Sequence, residues 1–230
     1  FEAAGRLCSY NVTTNRLALL FSFYEDQSQN NRVQWDVREM YRRFNLKILD
    51  VDEGNNVQFA VYGYMNRGRH EGEVGIQLYT YNSGRNTIEE LVYIPYDKTY
   101  EILERELEEL LYLNREGKLY LYLDHGIYEV DTLERTSNRI ALVESDEAMV
   151  ISASHKIVVW RQAQGLQIMN LGTEQITRID VSADEIARPL GFMGEDIVYG
   201  VARQEDVTSD AAGRLFFPMY QVCIRDASGK

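Results

Sequence analysis

The sequence predicts an all-β chain assembled from repeated four-stranded units, and three observations predict it. Short extended runs separated by tight turn signals recur with a period of about 40 residues. Their register holds from one unit to the next: Lys118 and Lys156 open equivalent strands, and Gly126 and Gly165 open the strands that follow. The composition, 45% hydrophobic and 26% charged, is that of a chain with a packed core rather than a disordered one.

Taken in order, Arg6 to Val12 and Leu17 to Phe23, joined by the turn 13–16, resemble the last two strands of a unit whose beginning is absent. Lys47 to Val51, Val57 to Tyr64, Val74 to Tyr81 and Thr87 to Ile94 make the next unit. Leu110 to Asn114, Lys118 to Leu123, Ile127 to Leu133 and Asn138 to Val143 follow, and then Met149 to Ala153, Lys156 to Arg161, Leu166 to Leu171 and Gln175 to Val181. Leu190 to Met193, Asp196 to Ala202 and Met219 to Arg225 begin a further unit. The stretch Asp226 to Lys230 matches Asn114 to Lys118: a side chain able to bond its own backbone comes first, and glycine for positive φ comes fourth. A hairpin turn needs a strand after it, so residues 1–230 read as a single module cut from a longer protein. Whole and partial units number about five, which as four-stranded blades, some incomplete, describes a β-propeller-like fold. An incomplete ring leaves sheet edges that invite pairing, so self-association through an open edge is expected.

Two stretches break the β pattern. Val33, Val37, Met40, Tyr41 and Phe44 share one face at helical spacing, as do Tyr100, Leu103, Leu107 and Leu110. Both read as short inserted helices, with Arg38, Arg42 and Arg43, or Glu101, Glu104, Glu106 and Glu108, turned to water. The tyrosines of the run Leu119 to Leu123 read as core.

A formal net charge of -12 argues against nucleic acid as a partner, because phosphate tracking depends on clustered Lys and Arg. No run approaches the ~20 continuous apolar residues that cross a bilayer, so the module itself is not expected to insert in a membrane. Cys8 and Cys223 have neither metal-ligand spacing nor a disulfide framework and read as two buried thiols. Their positions near opposite ends leave a closing disulfide as the alternative, since a circular fold brings its ends together.

No nucleophile elbow, phosphate-binding glycine loop, zinc-binding His-Glu helix or paired-cysteine knuckle is present. No catalytic residue, metal or cofactor is therefore assigned. His70, His125 and His155 fall in turns of different units and read as independent surface residues. Asp50, Asp52 and Asn55 lack the Asp/Asn-Gly pair and bidentate glutamate of a calcium loop and read as an ordinary turn.

The most unusual segment is Tyr62 to Gly72, aromatic, basic and glycine-rich in an acidic chain. It reads as a recognition loop. Arg67 and Arg69 supply forked donors for carboxylate or phosphate, Tyr62 and Tyr64 supply flat contact surface with His70 beside them, and the glycines allow close backbone approach. The alternative is a long hairpin whose arginines pair with neighbouring acids. A second long connection, Glu205 to Phe217, reads as a rim insertion or a mobile loop.

The repeats Leu110 to Val143 and Met149 to Val181 resemble blades of the broad β-propeller superfamily, in the style of TolB-like and peptidase-associated propellers. The Trp-Asp signature of some propellers is missing from them. The segments Tyr62 to Gly72 and Pro189 to Gly200 are also similar to stretches in uncharacterised surface-anchored proteins of Gram-positive anaerobes. That similarity implies an extracytoplasmic, cell-surface setting and brings no activity with it. The expectation is a non-catalytic binding or scaffolding module that holds a protein, peptide or glycan partner through turns on one face. A glycan-acting hydrolase, or a propeller that gates a peptidase, stays open as the enzymatic alternative, and a structural spacer or self-association module as the third.

Overall fold

The computed structural model describes residues 1–3, 5–23, 43–66, 68–143, 148–211 and 215–226. Arg67, the helix expected from Val33 apart from its end at Phe44, and the turn that follows Asp226 lie outside the described residues. The rest is all-β and propeller-like: open antiparallel sheets in sequence order, with one α-helix among the described residues. The chain divides into two compact units, Phe1–Glu108 with Asp131–Thr136, and Glu109–Val130 with Ser137–Lys230.

The first unit opens with the sheet β1 (Glu2–Ala3), β2 (Arg6–Asn11) and β3 (Arg16–Ser22). A four-stranded meander follows, β4 (Phe44–Val51), β5 (Val57–Tyr64), β6 (Val74–Asn82) and β7 (Thr87–Pro95), and then the helix α1 (Tyr100–Glu109). Alternation along the strands sends Phe59 and Val61 of β5 to one face, where they join Leu7, Phe21 and Phe23 of the first sheet in one core. Phe59 stacks on Tyr79 at 5.2 Å between ring centres, and Phe21 meets Phe59 at 5.0 Å. The opposite face carries Ala60, Tyr62, Ile76 and Leu78, all buried. Helix α1 is tied to that face by Asn45 of β4, whose amide donates to Glu104 at 2.5 Å. Its buried apolar residues, Leu103 and Leu107, stand four apart as an amphipathic stripe requires.

The second unit holds, apart from the connection Asp131–Thr136, β8 (Leu111–Leu113), β9 (Lys118–Leu123), β10 (Gly126–Asp131) and β11 (Thr136–Leu142), then β12 (Met149–Ile151), β13 (Ile157–Gln162), β14 (Gly165–Asn170) and β15 (Gln175–Ile179). The strands β16 (Glu185–Met193), β17 (Asp196–Arg203) and β20 (Gln221–Asp226) form a three-stranded sheet. The small ladder β18 (Thr208–Ser209) with β19 (Leu215–Phe216) lies between the last two in sequence. The sheet β12–β15 is buried on both faces. Val158, Trp160 and Met169 pack with Tyr120, Tyr122 and Ile127 of the sheet before it, while Ile157, Val159, Leu166 and Ile168 pack with Ala187 and Ile197 of the sheet after it. Burial on both sides explains why β13 begins with four apolar residues in a row instead of alternating.

A turn signature repeats with these sheets. Asn11, Asn82, Asp131 and Asn170 each end the next-to-last strand of a sheet, and each side-chain oxygen accepts backbone N–H groups two or three residues on, at 2.8–3.1 Å. Four positions after each comes a non-glycine residue in the left-handed region: Asn15, Asn86, Arg135 and Glu174, with φ of 49, 52, 56 and 61°. The short polar side chain starts the bend, and the left-handed residue closes it into the following strand.

Several elements differ from expectation. Strand β4 begins at Phe44 rather than Lys47, because Phe44 is buried in the first unit's core instead of ending a helix. Glu104 and Glu106 are not turned to water: Glu104 is half-buried under Asn45 and Tyr100, and Glu106 is buried and accepts from Tyr96 Oη at 2.7 Å. The sheet at the start of the chain has a third strand, β1, too short to leave a sequence pattern. Strand β16 begins at Glu185, well before Leu190, and a bulge between Pro189 and Gly191 breaks the alternation that would have shown it. The connection Glu205 to Phe217 contains the β18–β19 ladder.

Candidate functional site

The connection between β5 and β6 is a short folded turn rather than a slack loop. Met65 N–H donates to Glu73 O at 2.9 Å, Gly72 N–H to Met65 O at 2.8 Å and Glu73 N–H to His70 O at 3.0 Å. Gly68 and Gly72 take φ of 82 and 89°, where a side chain would be strained. Met65 anchors the base by burying its side chain in the first unit's core. The imidazole of His70 lies flat on the ring of Tyr93 in β7, with centroids 3.6 Å apart and planes 13° apart. Its Nδ1 sits 3.1 Å from Glu73 Oε2. Tyr93 Oη donates to Val74 O at 3.2 Å, and burial, then the Glu73 carboxylate, push its phenol well above the ordinary range. Gly75 makes the stack fit: a Cβ there would stand 2.5 Å from Tyr93 Oη and 2.6 Å from Ile94 O.

Of the residues singled out in the sequence, Arg69 is exposed on this turn beside the half-buried His70. Tyr64 is half-buried at the end of β5, and Arg67 lies outside the described residues. Tyr62 does not join the turn. It is buried in β5 on the face covered by α1, where burial first and then Glu104, Glu2 and Glu108 push its phenol up to about 12. There Glu104 accepts from both Asn45, at 2.5 Å, and Tyr100 Oη, at 2.6 Å, and Arg43 pairs with Glu101.

A second polar cluster, in the second unit, has no counterpart in the sequence reading. Lys118 Nζ lies 2.7 Å from Glu174 Oε2 and 3.6 Å from Glu129 Oε1. Asn114 Nδ2 donates to Glu174 Oε1 at 3.2 Å, and Tyr120 Oη to Glu129 Oε2 at 3.0 Å. The Lys118 hydrogen bond holds the Glu174 carboxyl below its usual range, and burial first, then Glu129, raise the Tyr120 phenol. Asn114 also takes the backbone N–H groups of Glu116 and Lys118 on its Oδ1, both at 2.9 Å, so the turn and the cluster share one residue. Lys118 and Glu174 are far apart in sequence, and only the pairing of adjacent sheets brings them together. Nothing in the local pattern of either residue announces it.

His125 and His155 occupy separate hairpin turns of the second unit at φ of 59 and 56°, while His70 belongs to the first unit. Among the described residues no group of three or more His, Cys, Asp or Glu side chains could hold a metal ion. Asp52 caps an ordinary turn, accepting from Asn56 N–H at 2.9 Å and from its side-chain amide at 2.8 Å. Cys8 and Cys223 are free and half-buried. A cavity of about 360 Å³ between the two sheets of the first unit is bordered mainly by apolar side chains such as Leu7, Ile48, Val57 and Tyr81. No helix among the described residues is long and apolar enough to cross a membrane.

No family model and no curated protein matches the chain. Among solved structures it is similar to dipeptidyl peptidase 4 of Porphyromonas gingivalis, at 11% identity over 98% of this chain and 46% of that one, with a TM-score of 0.35. It is similar to the tricorn protease at 11% identity over 94% of this chain and 24% of that one, TM-score 0.31. It is also similar to TolB from Acinetobacter baumannii at 12% identity over 81% of this chain and 67% of that one, TM-score 0.25. The chain thus spans less than half the length of the two peptidases. Its propeller-like character rests on its own sheets.

Proposed function

We propose that this chain is a non-catalytic binding or scaffolding module that works outside the cytoplasm. It takes a protein, peptide or glycan partner on the turn that carries Arg69 and His70. The observation that supports this most is the flat contact of His70 on Tyr93 within a turn closed by three backbone hydrogen bonds. A surface ordered before its partner arrives loses little entropy on binding, and a ring held on one face by another ring offers its free edge to a ligand. Arg69 adds a forked cationic donor in a chain of net charge -12, which favours an anionic or carboxylate-bearing group at this turn. The setting outside the cytoplasm rests on the likeness of Tyr62 to Gly72 and Pro189 to Gly200 to segments of surface-anchored proteins of Gram-positive anaerobes.

A catalytic reading would start from Glu129 and Glu174, the two carboxylates on either side of Lys118. Both are engaged with that lysine, and Glu174 is held in its charged form. A pin between sheets suits that arrangement better than a proton-transfer pair does.

The test is to probe glycan and peptide arrays with the purified chain and with the Arg69→Ala/His70→Ala double variant. The reading expects discrete features bound by the wild type and lost in the variant, with the circular dichroism of the two unchanged. Features bound equally by both would refute the turn as the binding surface.

A further inference from the structure

The turn from Met65 to Glu73 fixes which nitrogen of His70 carries the proton. Glu73 Oε2 lies 3.1 Å from Nδ1, and a carboxylate can only accept, so the hydrogen sits on Nδ1. The other ring nitrogen, Nε2, meets no hydrogen-bond partner among the described residues, and the side chain keeps 28% of its surface exposed. In the neutral ring Nε2 is therefore a bare acceptor, and it becomes a donor only when the imidazole takes up a second proton. Among the described residues the charged and titratable groups that meet the ring are Glu73 from its own turn and Tyr93 from β7, with Arg69 and Glu71 beside it in the chain. The contacts favour a cation. Glu73 is an acid, and the Tyr93 phenol, pushed well above the ordinary range, stays neutral while its ring face lies 3.6 Å from the imidazole, where a positive charge is attracted.

We propose that the turn captures the carboxylate of an acidic peptide with His70 in its cationic form, so that one proton is taken up as the peptide binds. Arg69 supplies a forked donor and His70 Nε2–H a second one, whereas the neutral ring would set a lone pair against the same carboxylate. The inference rests on the reading of this turn as the binding surface and adds to it the partner's class and the proton. A peptide suits the turn better than an acidic glycan does. A uronate polymer would bring a row of like charges against a chain of 36 acidic and 24 basic residues, with Glu71 and Glu73 in the turn itself. An aspartate flanked by neutral residues brings one charge. Affinity rises as pH falls from about 8 to about 5.5, the interval in which imidazoles ordinarily gain their charge and aspartates keep theirs.

The probe is the capped peptide acetyl-Gly-Asp-Gly-amide, with its Asn counterpart and trigalacturonate as comparisons, and the His70 ring protons of the whole chain are followed by NMR as pH is varied. With the Asp peptide at about ten times its dissociation constant, the midpoint of the His70 titration should move up by about one pH unit. The Asn peptide should leave it in place. In Glu73→Gln the neutral ring is free to carry its hydrogen on Nε2, so the peptide should bind about equally at both ends of the pH range and the midpoint should stay still. Saturable binding of the Asp peptide with no movement of the wild-type midpoint would overturn the inference, as would no saturation at millimolar peptide. Movement by trigalacturonate and not by the peptide would overturn it in favour of a glycan. Array features that need Arg69 and His70 yet bind equally across the pH range would overturn the proton uptake and leave the turn as the binding surface, whereas array features that bind the double variant equally well overturn the turn itself.

Discussion

The His70 imidazole and the Tyr93 phenol ring lie face to face, 3.6 Å between centroids, and the space they share exists because residue 75 has no side chain. Gly75→Ala places a methyl group 2.5 Å from Tyr93 Oη and 2.6 Å from the backbone oxygen of Ile94. The tyrosine can swing away, but the backbone oxygen cannot. We expect a loss of about 1–3 kcal/mol in urea unfolding. The His70 ring resonances in a proton NMR spectrum should move toward the positions of a free imidazole, since the ring current of Tyr93 no longer acts on them.

Burial of β12–β15 on both faces gives a paired expectation. Trp160→Ala, which opens one face, should cost about 3–5 kcal/mol, and Ile168→Ala, which opens the other, about 2–5 kcal/mol. Ile176 on the outer strand is 49% exposed, and Ile176→Ala should fall within about 0.5 kcal/mol of wild type. If Ile168→Ala proved as mild as Ile176→Ala, the packing of β16 and β17 against this sheet would be wrong.

The period, the strand order and the core tyrosines of Leu119 to Leu123 were legible in the sequence because alternation and turn residues are local properties. Tyr120 and Tyr122 are 0% and 2% exposed, as the continuous run implied. The best repeat signal was subtler: Asx at the end of a next-to-last strand with a left-handed residue four positions later. Asn15, Asn86, Arg135 and Glu174 are chemically unlike one another, so only the backbone shows that they are equivalent. In the candidate site, composition drew attention to Tyr62 to Gly72, but strand alternation and helix α1 withdraw Tyr62 from it. Tyr93, Glu73 and Gly75, which hold His70 in place, carry no mark in the sequence. The Lys118–Glu174 contact joins two sheets and was beyond any local reading.

Tyr62 sets an alkaline limit. Its phenol is raised from about 10 to about 12 in the folded chain, so the fold prefers the neutral form. The contribution is fully present below pH 10 and is lost as pH rises toward 12. Tyr62→Phe should therefore show a shallower fall in unfolding free energy between pH 10 and 12 than wild type does. Parallel alkaline limbs would show that Tyr62 is solvated when folded.

The Lys118–Glu174 pair predicts a plateau. Glu174 is held below its ordinary 4.5, so its contribution is present above that pH and disappears as pH falls through the folded value. Lys118 is raised above its ordinary 10.5, so the same contact persists up to there and fades beyond. The stability gap between wild type and Glu174→Gln should be constant from about pH 5 to 10 and close at both ends. A gap that survives at pH 3 would mean that packing, not charge, is what the substitution removes.

The account depends most on the turn from Met65 to Glu73 being the surface that meets a partner. Amide hydrogen exchange read by mass spectrometry, with and without the strongest ligand found on the arrays, tests this directly. Slowed exchange concentrated in peptides covering residues 68–73, and absent from the Arg69→Ala/His70→Ala variant, is the predicted result. Slowing elsewhere in the chain, with residues 68–73 exchanging as before, would contradict it.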